Sequence, residues 1–102
     1  MNNQKYSNKI IHIYFLKIDV EGFEINVLAG AIELLENNAI HFIQFEFGLP
    51  NIDARIFFQD FWNMLNDKFH IYRIVADGLF VIKNYSTQLE IFATSNFIAE
   101  RK

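Results

Sequence analysis

The sequence predicts an α/β fold whose sheet is parallel at first and antiparallel at its end. Residues 10–18 and 40–47 are apolar on both alternating faces, which is typical of strands buried on both sides of a parallel sheet. Each run is followed by apolar residues at helical spacing. A tight Asp77-Gly78 turn then predicts a hairpin. The order strand, helix, strand, helix and three further strands is that of an α/β sheet.

The first predicted strand runs from Ile10 to Ile18, and an amphipathic helix follows from Phe23 to Glu36. Glu21 and Glu24 stand near the start of this helix, where the helix dipole favours acids. The apolar positions that define the helix are Phe23, Val27, Leu28, Ala31, Leu34 and Leu35.

The second predicted strand runs from Ile40 to Phe47, and Gly48-Leu49-Pro50-Asn51 ends it. We expect Asp53 to cap a second helix that extends to about Lys68. The aromatic stripe of this helix is most simply core packing, with a substrate-facing aromatic as the less favoured interpretation. Its members are Phe57, Phe58, Phe61 and Trp62.

The rest of the chain predicts three short strands. Phe69 to Val75 is the third strand and Leu79 to Ile82 is its hairpin partner. Asn84 to Gln88 is a polar connection, and Asn96 to Ala99 is a last strand. Right-handed crossovers that step in one direction place both helices on the same face of the sheet. The opposite apolar face must then be covered by a partner, or the chain belongs to a larger domain.

Composition excludes several classes of function. A net charge of -3 without a basic cluster gives no footprint for nucleic acid or an anionic membrane. The chain has no cysteine, which removes disulfides, thiolate metal sites and cysteine nucleophiles. The polar start MNNQKYSNK leads into IIHIYFL, an apolar run too short to span a bilayer. We expect no secretion signal, and a cytoplasmic location by default.

The run LKIDVEGFEINVLAGA, followed by IHFIQFEFG, resembles the FkbM-type methyltransferases. These are enzymes that depend on S-adenosylmethionine and usually methylate oxygen. The resemblance extends from about Ile13 to Arg101 and is strongest from Leu16 to Glu24. Weaker support comes from Gly30-Ala31, Glu46-Phe47-Gly48 and Ser95-Asn96-Phe97.

The resemblance implies a Rossmann-like methyltransferase sheet of which this chain supplies the C-terminal half, from the fourth strand to the antiparallel seventh. Residues 1–9 would be a polar N-terminal segment and residues 10–102 a partial domain. The family's first half carries the glycine-rich turn and the acid that hold the cofactor. The four glycines here form no G-x-G pattern, so we expect S-adenosylmethionine as cofactor but its main binding elements elsewhere.

Four polar residues predict a cleft at the carboxyl ends of the first two strands. Lys17 and Asp19 share one face of the first strand, and Gln44 and Glu46 share one face of the second. Open α/β sheets bind ligands at this edge. Asp19 or Glu46 would then be the base that takes a proton from the methyl acceptor, or would orient it. Lys17, Gln44 and, beyond the strand, Glu21 would line the cleft.

Structural interpretations stand beside these roles. Lys17 and Glu46 are at least as readily a buried structural ion pair. Asp19 before a turn is a common capping acid, and Glu21 and Glu24 most often simply favour a helix start. Gly22 is expected for backbone geometry alone.

Other candidate groups carry less weight. His12, His41 and His70 lie at predicted strand starts, opposite the expected cleft, and are read as solvated positions. Carboxylates of Asp19, Glu21 and Glu46 are conceivable metal ligands, but nothing in their spacing demands a metal and none is predicted.

The leading hypothesis is the C-terminal part of an FkbM-like methyltransferase acting on a hydroxyl of a sugar or other small metabolite, and inactive as an isolated chain. Its expected partners are the acceptor and a missing N-terminal half, or a second copy through self-association. The alternative is a non-catalytic α/β remnant, or an interaction module that binds another chain through its uncovered sheet face.

Overall fold

The computed structural model describes residues 12–19, 22–91 and 93–102. Its strands are β1 (Ile13–Ile18), β2 (Ile40–Phe47), β3 (Phe69–Val75), β4 (Gly78–Ile82) and β5 (Ser95–Arg101). Its helices are α1 (Glu24–Gly30), α2 (Ile32–Glu36), α3 (Leu49–Asp53) and α4 (Phe58–Leu65), with a 3-10 turn at Thr87–Leu89. No helix of the described part is long and apolar enough to cross a membrane.

The five strands form one sheet in the order β1-β2-β5-β3-β4. β1 and β2 are parallel, whereas β5 is antiparallel to both β2 and β3, and β4 is antiparallel to β3. The last strand in the sequence is therefore inserted between β2 and β3, which run in the same direction. The predicted α/β sheet, parallel first and antiparallel at its end, is confirmed.

The predicted bounds of the strands agree better with the structure than the predicted bounds of the helices. β2 and β3 have the predicted bounds, β4 begins one residue earlier, and β5 is longer than the predicted Asn96–Ala99. β1 begins at Ile13, and the first two residues of its predicted range lie outside the described residues. The polar connection contains the first part of the 3-10 turn.

Two helix predictions were wrong. The expected helix from Phe23 to Glu36 is divided at Ala31, whose φ of -102° and ψ of 18° leave the helical region. Asp53 does not cap the second helix but is the last residue of α3. Arg55 then adopts a left-handed φ of 62°, which turns the chain before α4 begins at Phe58.

The hydrophobic core lies between the helices and one face of the sheet. Buried residues alternate along β2 from Ile43, which is the periodicity of a strand with one covered face. The ring of Phe45, in the middle of the sheet, stacks on Phe61 of α4 with centroids 4.6 Å apart. Phe58 contacts Phe97 of β5 at 4.7 Å. Leu28 of α1 and Leu35 of α2 join the same cluster.

The opposite face of the sheet, here called the open face, has no helix over it among the described residues. The strand registers place its side chains opposite one another on every strand. Seven of its large hydrophobic residues are half-buried or exposed: they are Phe15, Phe42, Tyr72, Ile74, Leu79, Val81 and Ile98. Ile40, which shares this face with Phe42 by strand alternation, is buried at the start of β2. The prediction that both helices lie on one face is thus confirmed, and a large apolar surface remains uncovered.

The N-terminus of α4 is held by acids rather than by Asp53. The Asp60 carboxylate accepts the N–H of Phe57 at 2.7 Å. Glu90, from the loop before β5, accepts the N–H groups of Phe58 at 2.6 Å and Gln59 at 2.9 Å. The Tyr85 hydroxyl donates to the same Glu90 carboxylate, and this hydrogen bond, with desolvation by burial, raises the pKa of Tyr85 to about 12. The loop is therefore docked on α4.

Replacement Tyr85→Phe should lower the free energy of unfolding by about 1 kcal/mol at neutral pH, because it removes the bond to Glu90. The folded pKa is raised from 10.0 to about 12, so the contribution is complete below pH 10 and is lost as pH rises through about 12. The free energies of unfolding of wild type and variant, measured with urea, should become equal as the pH rises from 10 to about 12. Tyr14→Phe, at an exposed tyrosine, is the control. A constant difference at all pH values would contradict the assignment.

Candidate functional site

The carboxyl ends of β1 and β2 meet at one edge of the sheet, as predicted. Their parallel register pairs Lys17 with Gln44 and Ile18 with Phe45. The same register continued by one residue places Asp19 beside Glu46. Asp19 is exposed and Glu46 is half-buried. Two carboxylates and an amide therefore occupy neighbouring positions at the edge where open α/β sheets bind ligands.

The expected burial of Lys17 is wrong. Its side chain is exposed, and it forms no ion pair within the part of the chain that the structure describes. The physical reason is that Lys17 lies on the open face, which no described residue covers with a second layer, so the ammonium group keeps its hydration. Lys17 and Glu46 therefore do not form the expected buried ion pair, whereas Lys17 and Gln44 lie on the same face of the sheet.

Glu24, expected only to favour a helix start, is the buried acid of this edge. Its side chain is 0% exposed. Oε1 accepts the backbone N–H of Gly22 at 2.9 Å and the side-chain amide of Asn51 at 3.0 Å. Because these partners lie after β1 and after β2, the Glu24 carboxylate joins the segments that follow the two parallel strands.

Asn51 completes the connection from the other side. It is 2% exposed, and its Oδ1 accepts the backbone N–H of Gly48 at 3.1 Å while its amide donates to Glu24. Both ends of one side chain are therefore hydrogen-bonded. We call Gly22, Glu24, Gly48 and Asn51 the edge network. In the sequence, Asn51 is a polar residue among apolar ones directly after Leu49-Pro50. No local pattern, however, predicts its contact with Glu24, which lies 27 positions away.

Two glycines allow these segments to approach closely. Gly22 has a φ of +99°, and a Cβ there would lie 2.9 Å from the carbonyl oxygen of Pro50. A Cβ on Gly48 would lie 2.4 Å from Cα of Thr94, just before β5. The prediction that Gly22 serves backbone geometry is confirmed, and the segments around β1, β2 and β5 are packed against each other at this edge.

One oxygen of the edge network lacks a donor. Oε2 of Glu24 is buried and accepts no hydrogen bond from any described residue. Such an oxygen can accept one more N–H or O–H group, or lie near a positive charge. Oε1 of Glu24 is thus hydrogen-bonded twice within the network, whereas Oε2 is an acceptor that no described residue uses.

The remaining candidates lie elsewhere. His12 and His70 are exposed, as predicted, whereas His41 is half-buried, with its ring stacked on Tyr14 at 5.2 Å and its Nδ1 3.4 Å from Arg101. In the aromatic stripe Phe58 and Phe61 are core residues, but Phe57 is exposed. Among residues 12–19, 22–91 and 93–102, no group of three metal-ligating side chains is close enough to hold an ion. Glu21 lies outside the described residues.

Comparison with protein families gives one match. The model for the methyltransferase FkbM domain matches residues 4–74, more than half of the 102-residue chain. The chain belongs to the FkbM methyltransferase family. The FkbM match contains both strand ends and the whole edge network, and it ends within β3. The expected resemblance to Arg101 therefore extends further than the matched residues. No curated protein and no solved structure matches the chain.

Replacement Glu24→Ala should lower the free energy of unfolding by about 3 kcal/mol, because it leaves the buried Gly22 N–H and Asn51 amide without an acceptor. Glu24→Gln keeps an acceptor oxygen and should cost less. Urea unfolding followed by circular dichroism measures both, with exposed Glu33→Ala as control, expected to change stability by no more than about 0.5 kcal/mol. Equal effects of Glu24→Ala and Glu33→Ala would contradict the role of the network.

A glycine pair tests the close approach. Gly22→Ala should destabilise the chain by about 2 kcal/mol, since its φ is positive and the added Cβ meets the Pro50 carbonyl. Gly30→Ala has no atom within 4 Å of the added Cβ and should be neutral or stabilising by up to about 1 kcal/mol. The two variants are compared by thermal and urea unfolding. A Gly22→Ala chain as stable as Gly30→Ala would show that the turn can relax.

Proposed function

We propose that the chain is the C-terminal half of an FkbM-type methyltransferase that uses S-adenosylmethionine and methylates a hydroxyl of a sugar or other small metabolite. One observation carries the proposal: the FkbM match covers the edge at which Asp19 and Glu46 stand side by side after parallel strands. This is the ligand-binding edge of open α/β sheets.

The sheet supports the assignment to a second half. An antiparallel final strand inserted beside β2 is the arrangement expected if β1, β2, β3 and β5 are the fourth to seventh strands of a Rossmann-like sheet, with β4 as an additional hairpin strand. The open face supports it as well, because the helices of a first half would cover the apolar surface that the described helices leave bare. β1 forms the free edge to which the first half would add its strands.

The chain's own task is to position the acceptor hydroxyl and remove its proton. Methyl transfer to oxygen is an in-line displacement, so orientation and proton removal are the contributions that side chains can make. In this proposal the Asp19 carboxylate accepts the proton of the acceptor hydroxyl, and Glu46 orients that hydroxyl. Gln44 and Lys17 line the same strip of the open face, and Glu21 is assigned to the cleft by family resemblance.

The cofactor is only partly accommodated by this chain. When bound, S-adenosylmethionine supplies the electrophilic methyl group, and the carboxylates of Asp19 and Glu46 suit its positive charge. The four glycines form no G-x-G turn, however, and the family resemblance assigns the ribose-binding acid to the first half. We therefore assign those contacts to the first half, and the chain alone should bind the cofactor negligibly.

The open face also favours the alternative, an interaction module without catalytic activity. In that case the apolar surface binds another protein permanently, and Asp19 and Glu46 are no more than polar residues at its border. Calorimetry with S-adenosylmethionine on the isolated chain does not separate the two functions, because both give weak binding. The coding DNA upstream of Met1 does: a strand followed by a G-x-G turn, in frame or in a neighbouring frame, belongs to a methyltransferase.

The decisive experiment joins that upstream segment to this chain and measures methyl transfer to hydroxyl acceptors. Asp19→Asn should lower kcat by roughly a hundredfold or more while KM and unfolding change little, because the amide keeps the shape and loses the basicity. Asp67→Asn, at an exposed turn, is the matched control. Full activity of Asp19→Asn would return Asp19 to a structural role, and no activity of the joined wild-type protein would favour the interaction module.

A further inference from the structure

The outer edge of β4 is a strand edge that the described residues leave uncovered. The sheet ends at β4, whose strand neighbour is β3. Three consecutive residues of β4, Leu79, Phe80 and Val81, are 55%, 65% and 41% exposed. Proteins usually protect such an edge with proline, a charge or a bulge, but residues 78–82 contain neither proline nor charge. This edge is therefore available for pairing with another strand.

The hairpin geometry shows which backbone groups are free. Val75 and Gly78 are register partners and close a two-residue loop, in which the closing pair is hydrogen-bonded. Antiparallel pairs alternate between bonded and non-bonded, so every second residue from Gly78 directs its N–H and C=O to β3. Leu79 and Val81 lie between these positions and direct theirs to the free edge.

We propose that β4 pairs antiparallel with β4 of a second copy of the chain, about a two-fold axis at Phe80, so that two five-stranded sheets become one. In this register the outward backbone groups of Leu79 meet those of Val81 of the partner subunit, and the reverse, which forms four hydrogen bonds. Phe80 faces Phe80 of the partner subunit as a non-bonded pair, where side chains are closest.

Charge complementarity selects this register and a second copy as the occupant. Asp77 and Lys83 are exposed and stand directly before and after β4. Pairing centred on Phe80 brings Asp77 opposite Lys83 of the partner subunit at both ends of the ladder. The sequence Asp-Gly-Leu-Phe-Val-Ile-Lys is thus self-complementary in the antiparallel direction: apolar residues meet apolar residues, and each acid meets a base.

The proposed dimer is independent of the methyltransferase function. β4 and β1 are the two outer strands of the described sheet. Pairing through β4 therefore leaves β1, the open face and the carboxyl ends of β1 and β2 accessible to a first half. A dimer through β4 therefore fits both the half-enzyme and the interaction module.

Charge reversal is the first test, read as the dimer dissociation constant by sedimentation of the full chain. Asp77→Lys and Lys83→Asp each place like charges opposite one another twice, and each should raise the dissociation constant roughly tenfold. The double variant restores opposite charges and should return to within about threefold of wild type. Asp67→Lys, at an exposed turn outside β4 and with the same change in net charge as Asp77→Lys, should leave the constant unchanged. Circular dichroism verifies that each variant is folded.

Cross-linking is the second test, and the absence of cysteine in the chain gives a clean background. Oxidation of Phe80→Cys should give a disulfide-linked dimer, because non-bonded antiparallel pairs bring Cβ atoms within disulfide range. Val81→Cys faces position 79 of the partner and should stay uncross-linked. A wild-type chain that remains monomeric at high concentration would overturn the proposal. So would a dimer that neither single charge reversal weakens, or equal cross-linking of both cysteine variants.

Discussion

Burial of the Glu24 carboxylate is the interaction on which the geometry of the candidate site depends. A buried acid is costly unless its oxygens accept hydrogen bonds, and Oε1 obtains two of them from segments that follow different strands. The same bonds fix Gly22 three residues after Asp19, and through Asn51 they fix Gly48 two residues after Glu46. The relative position of the two candidate acids is therefore set by a residue that belongs to neither strand.

The two-layer construction determines the remaining properties of the chain. One face of the sheet has a dense aromatic core, in which Phe45 contacts both α4 and β5. The other face presents apolar side chains over which the described part of the chain places no second layer. Parallel sheets are normally covered on both sides, so this asymmetry is what makes the chain half of a larger unit in our proposal. It also explains why Lys17, near the start of the run that resembles the family, is exposed and forms no ion pair with a described residue.

The sequence predicted the strands well because their signals are local. Ile40 to Phe47 is rich in isoleucine and phenylalanine and stops at Gly48, and Phe69 to Val75 is followed by a tight turn, so both sets of bounds follow from the pattern itself. The edge network was missed because Glu24 and Asn51 are distant in sequence, and an acid at a helix start already has a sufficient local explanation. Lys17 and Asp53 were misjudged for related reasons: periodicity does not reveal whether a layer covers a face, and a left-handed Arg55 leaves no mark in composition.

The central position of β5 has a consequence for the order in which the sheet forms. The pairs β1–β2 and β3–β4 are each close in sequence, but within the described residues they are joined only through β5, which follows the other four strands in the sequence. The two half-sheets therefore stay unjoined until β5 has been synthesised. Pairing of β2 with β5 then closes a loop of about fifty residues, a separation that slows folding and prolongs exposure of apolar strands. Apolar strands that stay exposed until β5 pairs are prone to aggregation.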